Sequence, residues 1–119
     1  MTPEELKKRT KLFALLILKV VKALPKCKES DVIGYQILKA GTSVGANYRA
    51  TCRSRSPSDF VSKITVVEEE ADESAFWLEL IIESGLLNNE LVHSALKEAD
   101  ELTAIFTSSG NTAKGNLNK

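Results

Sequence analysis

The stretch from Ser56 to Gly85, SPSDFVSKITVVEEEADESAFWLELIIESG, carries the signals for both ends of one long helix. Ser56 can cap the first turn, and Pro57 suits the first helical position. Asp59 places an acid at the third position after the cap, as is typical of a helix start. Gly85 is the left-handed stop expected after the last turn. Apolar residues recur between these signals with the helical period, so the stretch predicts a helix over 57–84.

The other helices are predicted from the same kinds of helix start and stop signals. Thr2 can cap a helix that has Pro3 at its first position, and Pro25 ends that helix. Ser30 or Asp31 opens the next helix, and an asparagine before Glu90 opens the last one. Together with the stretch above, the predicted helices cover residues 3–24, 31–55, 57–84 and 89–109.

Long helices joined by short loops pack antiparallel, so the predicted fold is an all-α, up-down-up-down four-helix bundle over residues 1–110. The polar segment 111–119 is predicted to be a disordered tail. The longest apolar run, Leu12 to Leu18, is too short to cross a membrane, and no cleavage site for a signal peptide follows it. We therefore expect a cytoplasmic protein whose two cysteines are reduced thiols.

The formal net charge is zero, but the charges are divided between the two halves of the chain. Residues 1–55 carry 12 Lys/Arg and 4 Asp/Glu, whereas residues 56–119 carry 4 Lys/Arg and 12 Asp/Glu. This division predicts a basic surface for a polyanion, self-association of unlike halves, or both.

The first and third helices have apolar residues on two faces. The predicted core face of the first helix consists of Leu6, Leu12, Phe13, Leu16, Ile17, Val20, Val21 and Leu24. Leu15 and Leu18 lie on the opposite side among lysines, and Phe76 and Leu80 of the third helix lie among acids. A helix with two apolar faces usually has two partners.

We therefore expect the first helix of one subunit to pack on the third helix of the next. The predicted interface consists of Leu15, Leu18, Lys19, Lys22, Phe76, Leu80, Glu69 and Glu73. A contact between unlike surfaces is heterologous, and we expect it to close into a ring. Two alternatives remain open, namely that these faces are covered within one chain or that the exposed leucines have no role.

The second helix predicts close packing and a basic surface. Gly41 and Gly45 share one face, where small residues would let another helix or a ring such as Trp77 approach closely. Arginines gather near the end of the helix, where they either suit its dipole or bind phosphate. Tyr48 lies beside them and is predicted to be a core residue, with base stacking as the alternative.

The residues needed for catalysis or metal binding are sparse. The only histidine, His93, forms a single Glu-x-x-His pair with Glu90, whereas a di-metal bundle site needs two such pairs. No cysteine or histidine cluster has the spacing of metal ligands. We therefore expect a protein that is not an enzyme and that has no metal and no cofactor.

Residues 37–86 resemble a bacterial family of four-helix-bundle proteins that are encoded in intervening sequences of 23S ribosomal RNA genes. The resemblance is carried by ILKAGTSVGANYRA at 37–50, SDF at 58–60, KI at 63–64, EADES at 70–74, FWLEL at 76–80 and GL at 85–86. Family members often have lysine where this chain has Glu69, which makes the third helix more acidic here and is compatible with a subunit interface.

The resemblance implies a four-helix bundle that assembles into a homopentamer. The stretch is also similar to the accessory protein of diversity-generating retroelements, a pentameric relative that binds nucleic acid and a reverse transcriptase. It thus implies three kinds of partner: further copies of the chain, RNA or DNA, and a protein such as a reverse transcriptase.

The sequence thus predicts a ring-forming bundle that binds RNA or DNA through basic residues of its first two helices. The predicted contacts are Arg49, Arg53, Arg55, Lys7, Lys8, Arg9 and Lys11. The rival is a homo-oligomeric scaffold that binds another protein and no nucleic acid. The net charge of zero favours this rival, since nucleic-acid-binding domains are usually basic.

Overall fold

The computed structural model describes residues 1–118, which form four packed helices and no strand. The helices are α1 (Pro3–Ala23), α2 (Lys28–Thr51), α3 (Pro57–Glu83) and α4 (Glu90–Leu117). Both α1 and α3 pack against α2 and α4, so α1 and α3 occupy opposite corners of a bundle that measures 51 × 22 × 21 Å. The predicted four-helix bundle is confirmed.

Three of the predicted helix-end signals act as expected. The hydroxyl oxygens of Thr2 and Ser56 accept hydrogen bonds from the backbone N–H groups of Glu5 and Asp59, respectively, each at 3.1 Å. Gly85 has a φ of +80°, the left-handed conformation that glycine adopts without strain. These local signals fix where α1 and α3 begin and where α3 ends.

The second helix differs from its prediction at both ends. It begins at Lys28, with Cys27 in the extended N-cap conformation, and it ends at Thr51 instead of residue 55. The backbone N–H of Arg53 donates to the carbonyl of Ala50, which closes a turn in place of another helical step. Arg53 and Arg55 therefore lie in the connection before α3, and not on α2 as predicted.

The fourth helix corrects the prediction of a disordered tail. It continues past residue 109 to Leu117. Gly110 is buried against α3, and a Cβ built there would lie 3.8 Å from Ile64 Cγ2. This packing supports the helix through a segment of low intrinsic helix propensity. The last residue of the predicted tail, Lys119, lies outside the described residues.

The core runs along the bundle axis and is formed by one face of each helix. Its largest fully buried side chains include Phe13 and Ile17 of α1, Leu78 of α3 and Phe106 of α4. The expected core residue Leu12 is instead 56% exposed, because it lies outside the stripe of α1 that contains the buried Phe13 and Ile17. Within the described part of the chain, no helix combines the length and apolarity needed to cross a bilayer.

Two neighbouring helices approach each other closely at the two predicted glycines of α2. A Cβ at Gly41 would lie 2.7 Å from Ile17 Cγ1, and one at Gly45 would lie 3.3 Å from the backbone oxygen of Thr10. The predicted close approach is confirmed, and the residues that make it belong to α1, not to Trp77. Because Ile17 is fully buried, it has little room to move away from an added methyl group.

We expect Gly41→Ala to destabilise the protein. The clash with Ile17 should outweigh the gain in helix propensity and lower the free energy of unfolding by about 1–2 kcal/mol. Gly115→Ala is the matched control, since nothing lies within 4 Å of its added Cβ, and it should raise that free energy by about 0.5–1 kcal/mol. Urea denaturation followed by circular dichroism measures both, and a shift of the same sign would contradict the proposed clash.

Candidate nucleic-acid and assembly surfaces

Four of the predicted phosphate contacts converge on one surface. Lys7, Lys8 and Lys11 form a stripe along α1, and Arg49 lies across from them near the end of α2. They line a shallow groove together with Glu4, which we call the basic groove. Lys7 Nζ lies 3.3 Å from Glu4 Oε1, whereas the other three cations have no ion-pair partner among residues 1–118.

Arg55 extends this surface past the start of α1. It lines a neighbouring hollow, the connecting hollow, that shares Glu4 and Lys7 with the basic groove. The backbone N–H of Arg55 donates to Asp59 Oδ2 at 3.0 Å, and this hydrogen bond, with another from Lys63, lowers the pKa of Asp59. Arg53 is exposed in the same connection.

Arg9 does not belong to the basic groove, which corrects its predicted role. Its Nε and Nη2 donate to the two carboxylate oxygens of Glu98 at 2.8 and 2.7 Å, and Nη2 also lies 3.3 Å from Glu101 Oε1. The hydrogen bond to Glu98 is the main cause that raises the pKa of Arg9. This bidentate pair joins α1 to α4 and occupies the guanidinium.

Tyr48 is a core residue, as predicted, and is not available to stack on a base. Its side chain is buried, and its ring lies 5.4 Å from that of Phe106, tilted by 41°. Burial raises the pKa of its hydroxyl far above the usual range for tyrosine. The base-stacking alternative is therefore wrong.

The outer side of α1 carries an exposed apolar strip beyond the basic groove. Leu12, Leu15 and Leu18 are 56%, 48% and 41% exposed, and Lys19 and Lys22 lie beside them. We call these five residues the leucine face. In the sequence they follow the lysines of the basic groove, so the two surfaces occupy successive lengths of one helix.

The opposite corner of the bundle carries the acidic counterpart. Phe76 is 53% exposed, Leu80 is half-buried, and Glu69 and Glu73 are exposed around them. These four residues form the acidic face of α3. The indole N–H of Trp77 donates to Glu73 Oε2 at 3.2 Å, and the Trp77 ring meets that of Phe76 edge-on at 4.9 Å.

The fold does not cover either face. The leucine face and the acidic face lie at opposite corners, and Leu15, Leu18 and Phe76 remain exposed. The alternative in which the first and third helices cover these residues within one chain is therefore wrong. The remaining alternatives are a second subunit and the absence of any role.

A further groove does not follow from the sequence patterns described above. It lies between the start of α3 and the end of α4, and we call it the end groove; it is lined by Pro57, Phe60, Ser108, Ser109, Thr112, Ala113 and Asn116. The α4 residues recur at three- and four-residue spacing, which would have indicated a helix face, but most of them fell in the predicted tail.

The titratable groups do not assemble into a metal centre. Among residues 1–118, no three His, Cys, Asp or Glu side chains gather as metal ligands. His93 is exposed, and its Nε2 lies 2.6 Å from Asn88 Oδ1 at the start of α4. Cys27 and Cys52 are both free thiols.

We expect Arg9→Gln to lower the free energy of unfolding by about 1–2 kcal/mol, because it leaves the partly buried Glu98 without its bidentate partner. Lys8→Gln is the matched control, since Lys8 is exposed on the same helix, and it should change stability by less than about 0.5 kcal/mol. Thermal unfolding of both variants measures the difference. Equal stability of the two would show that the Arg9 pair does not hold α1 to α4.

Comparison with known proteins agrees with this architecture. A family model for the 23S rRNA-intervening sequence protein matches residues 4–108. The crystal structure of a protein of unknown function from the S23 ribosomal protein family of Bacteroides thetaiotaomicron superposes with a TM-score of 0.80. It is 32% identical, and the match covers 87% of this chain and 96% of that one. No curated protein matches the chain. The chain therefore belongs to the 23S rRNA-intervening sequence protein family.

Proposed function

We propose that this protein is a non-enzymatic, ring-forming bundle that binds RNA or DNA through its basic groove. The observation that carries the proposal is the convergence of Lys7, Lys8, Lys11 and Arg49 on one surface. Three of these cations have no ion-pair partner within residues 1–118. Unpaired cations from two helices suit a row of phosphates, and binding them releases counterions from the nucleic acid.

The ligand is held mainly by its backbone. Lysine and arginine side chains on a shallow surface reach phosphate oxygens without reading base edges, so binding has little sequence preference. Arg55, in the connecting hollow, prolongs the row of cations beyond Lys7. Arg9 makes no contribution because its guanidinium is bound to Glu98.

Assembly uses the leucine face of one subunit and the acidic face of the next. Each face combines exposed apolar side chains with charges of one sign, and the two signs are opposite. A twofold contact would oppose each face to itself and bring like charges together. A head-to-tail contact instead pairs Lys19 and Lys22 with acids, and five subunits close the ring in keeping with the resemblance described above.

A second candidate function is a protein-binding scaffold without nucleic-acid binding. The net charge of zero and the acidic surface of α3 favour it. The two functions differ in the fate of the basic groove: acids of a neighbouring subunit neutralise it in the scaffold, whereas it stays open to solvent in the nucleic-acid-binding ring.

We expect the wild-type protein to have the mass of about five 13.0 kDa chains in light scattering after size exclusion. Leu15→Asp and Phe76→Asp should each give monomers, because each places a charge in the apolar centre of the contact. Ala104→Asp is the control, since Ala104 is exposed on α4, the helix that carries neither face, and it should leave the mass unchanged.

Mixing the two monomeric variants tests whether the contact is head-to-tail. Leu15→Asp keeps an intact acidic face and Phe76→Asp keeps an intact leucine face, so a mixture should form heterodimers and no ring. A monomeric wild-type protein, or a mixture without heterodimers, would contradict the proposed assembly.

We expect Lys8→Glu combined with Arg49→Glu to weaken nucleic-acid binding more than tenfold. Removing two phosphate contacts should also reduce the slope of log affinity against log salt concentration by about 2. Lys97→Glu reverses an exposed charge on α4 outside the groove and serves as the control. Fluorescence anisotropy with labelled RNA and DNA measures both effects. The proposal would be contradicted if wild-type affinity did not depend on salt concentration, or if the double variant and Lys97→Glu weakened binding equally.

A further inference from the structure

We propose that the ligand is a single strand, and that its unpaired bases enter the end groove while its phosphates lie along the basic groove. This inference rests on the proposed nucleic-acid binding and adds to it a ligand class and a second contact surface. It assigns a role to an apolar groove that neither the bundle core nor the proposed ring contact uses.

The two grooves are joined into one path. The basic groove shares Glu4 and Lys7 with the connecting hollow. The connecting hollow shares Pro57 and Phe60 with the end groove. A strand that lies on the cations of α1 and α2 is thereby led past Arg55 to an apolar floor.

The end groove is formed by α3 and α4 alone. Arg9 ties α1 to Glu98 and Glu101, whereas the groove is lined by α4 residues from Ser108 onward. The last turns of α4 meet the start of α3, and Gly110 contacts Ile64 there. No side chain of α1 or α2 lines the groove, so it stays open to solvent.

The lining of the end groove suits nucleobases better than phosphates. Phe60 and Pro57 contribute apolar surface to the groove, and Ala113 is a small, half-buried side chain in its lining. Ser108, Thr112 and Asn116 offer hydroxyl and amide groups at the edge, where they can bond to base edges. Proteins that bind single strands combine such a surface with a basic channel for the backbone.

A duplex cannot use this surface. Its bases are stacked and paired, so their faces are hidden and only phosphates and groove edges are available. The basic groove alone would hold a duplex, whereas both grooves hold a single strand. The geometry therefore favours unpaired RNA or DNA.

The test compares three labelled probes of about 12 nucleotides, a length within the range of single-strand sites. They are a mixed-sequence single strand, the same sequence as a duplex, and an abasic strand with the same sugar-phosphate backbone. We expect the wild-type protein to bind the first at least tenfold more tightly than the other two in fluorescence anisotropy, since stacking of even one base is worth about that factor.

Two variants of the end groove complete the experiment. Ala113→Leu fills the groove, and Phe60→Leu removes the ring while keeping an apolar side chain against the core. Each should reduce single-strand affinity to that of the abasic strand and leave abasic binding unchanged. Ala104→Leu is the control for Ala113→Leu, since Ala104 is exposed on α4 outside the groove, and it should have no effect.

The outcomes separate this inference from the proposed function. Equal affinity for the three probes, or single-strand affinity unaffected by Ala113→Leu and Phe60→Leu, overturns the base-binding role. In that case a salt-dependent loss in the Lys8→Glu, Arg49→Glu variant still supports phosphate binding. If the groove instead receives a segment of a partner protein, the end-groove variants leave all three affinities unchanged. Absence of binding to every probe overturns both proposals.

Discussion

The contact between α1 and the glycines of α2 is the constraint on which the rest of the structure depends. A Cβ at Gly41 would lie 2.7 Å from the side chain of Ile17, and one at Gly45 would lie 3.3 Å from the backbone oxygen of Thr10. Arg49 follows Gly45 by one helical turn, so this approach brings it beside the lysines at the start of α1. The same approach turns the opposite stripe of α1 outward, and its leucines and lysines are therefore exposed.

The fold could be predicted from the sequence wherever a local signal marked a helix end. Thr2, Ser56 and Gly85 act through their own hydroxyl groups or backbone freedom, which are properties of single residues. The end of α4 could not be predicted because Ser, Thr, Asn and Gly have low helix propensity, and the packing of Gly110 against Ile64 of α3 cannot be read from the segment itself. The end of α2 at Thr51 was likewise not predicted, since neither glycine nor proline directly follows it.

The candidate site was predictable to the extent that spacing along one helix determines a surface. The stripe of Lys7, Lys8 and Lys11 follows from helical periodicity alone. Periodicity could not show that Arg9, which points to another side of α1, meets a pair of acids 89 and 92 residues away in the chain. The end groove could not be predicted for a related reason, because it forms between the start of α3 and the end of α4, which lie far apart in the chain.

The level of the acidic face along the bundle decides whether assembly leaves the basic groove open. Glu4 and Lys7 of α1 line the same hollow as Pro57 and Phe60 of α3, so the two helices begin at the same end of the bundle. Along α3, Phe76 lies 16 residues, or about 24 Å, beyond Phe60, whereas Leu15 lies about 12 Å beyond Lys7. The acidic face is therefore at least as far from the basic groove as the leucine face is. The proposed head-to-tail contact would thus place Glu69 and Glu73 near Lys19 and Lys22 and away from Lys7. The proposed assembly contact and the proposed nucleic-acid surface can then share α1 without competing for its lysines.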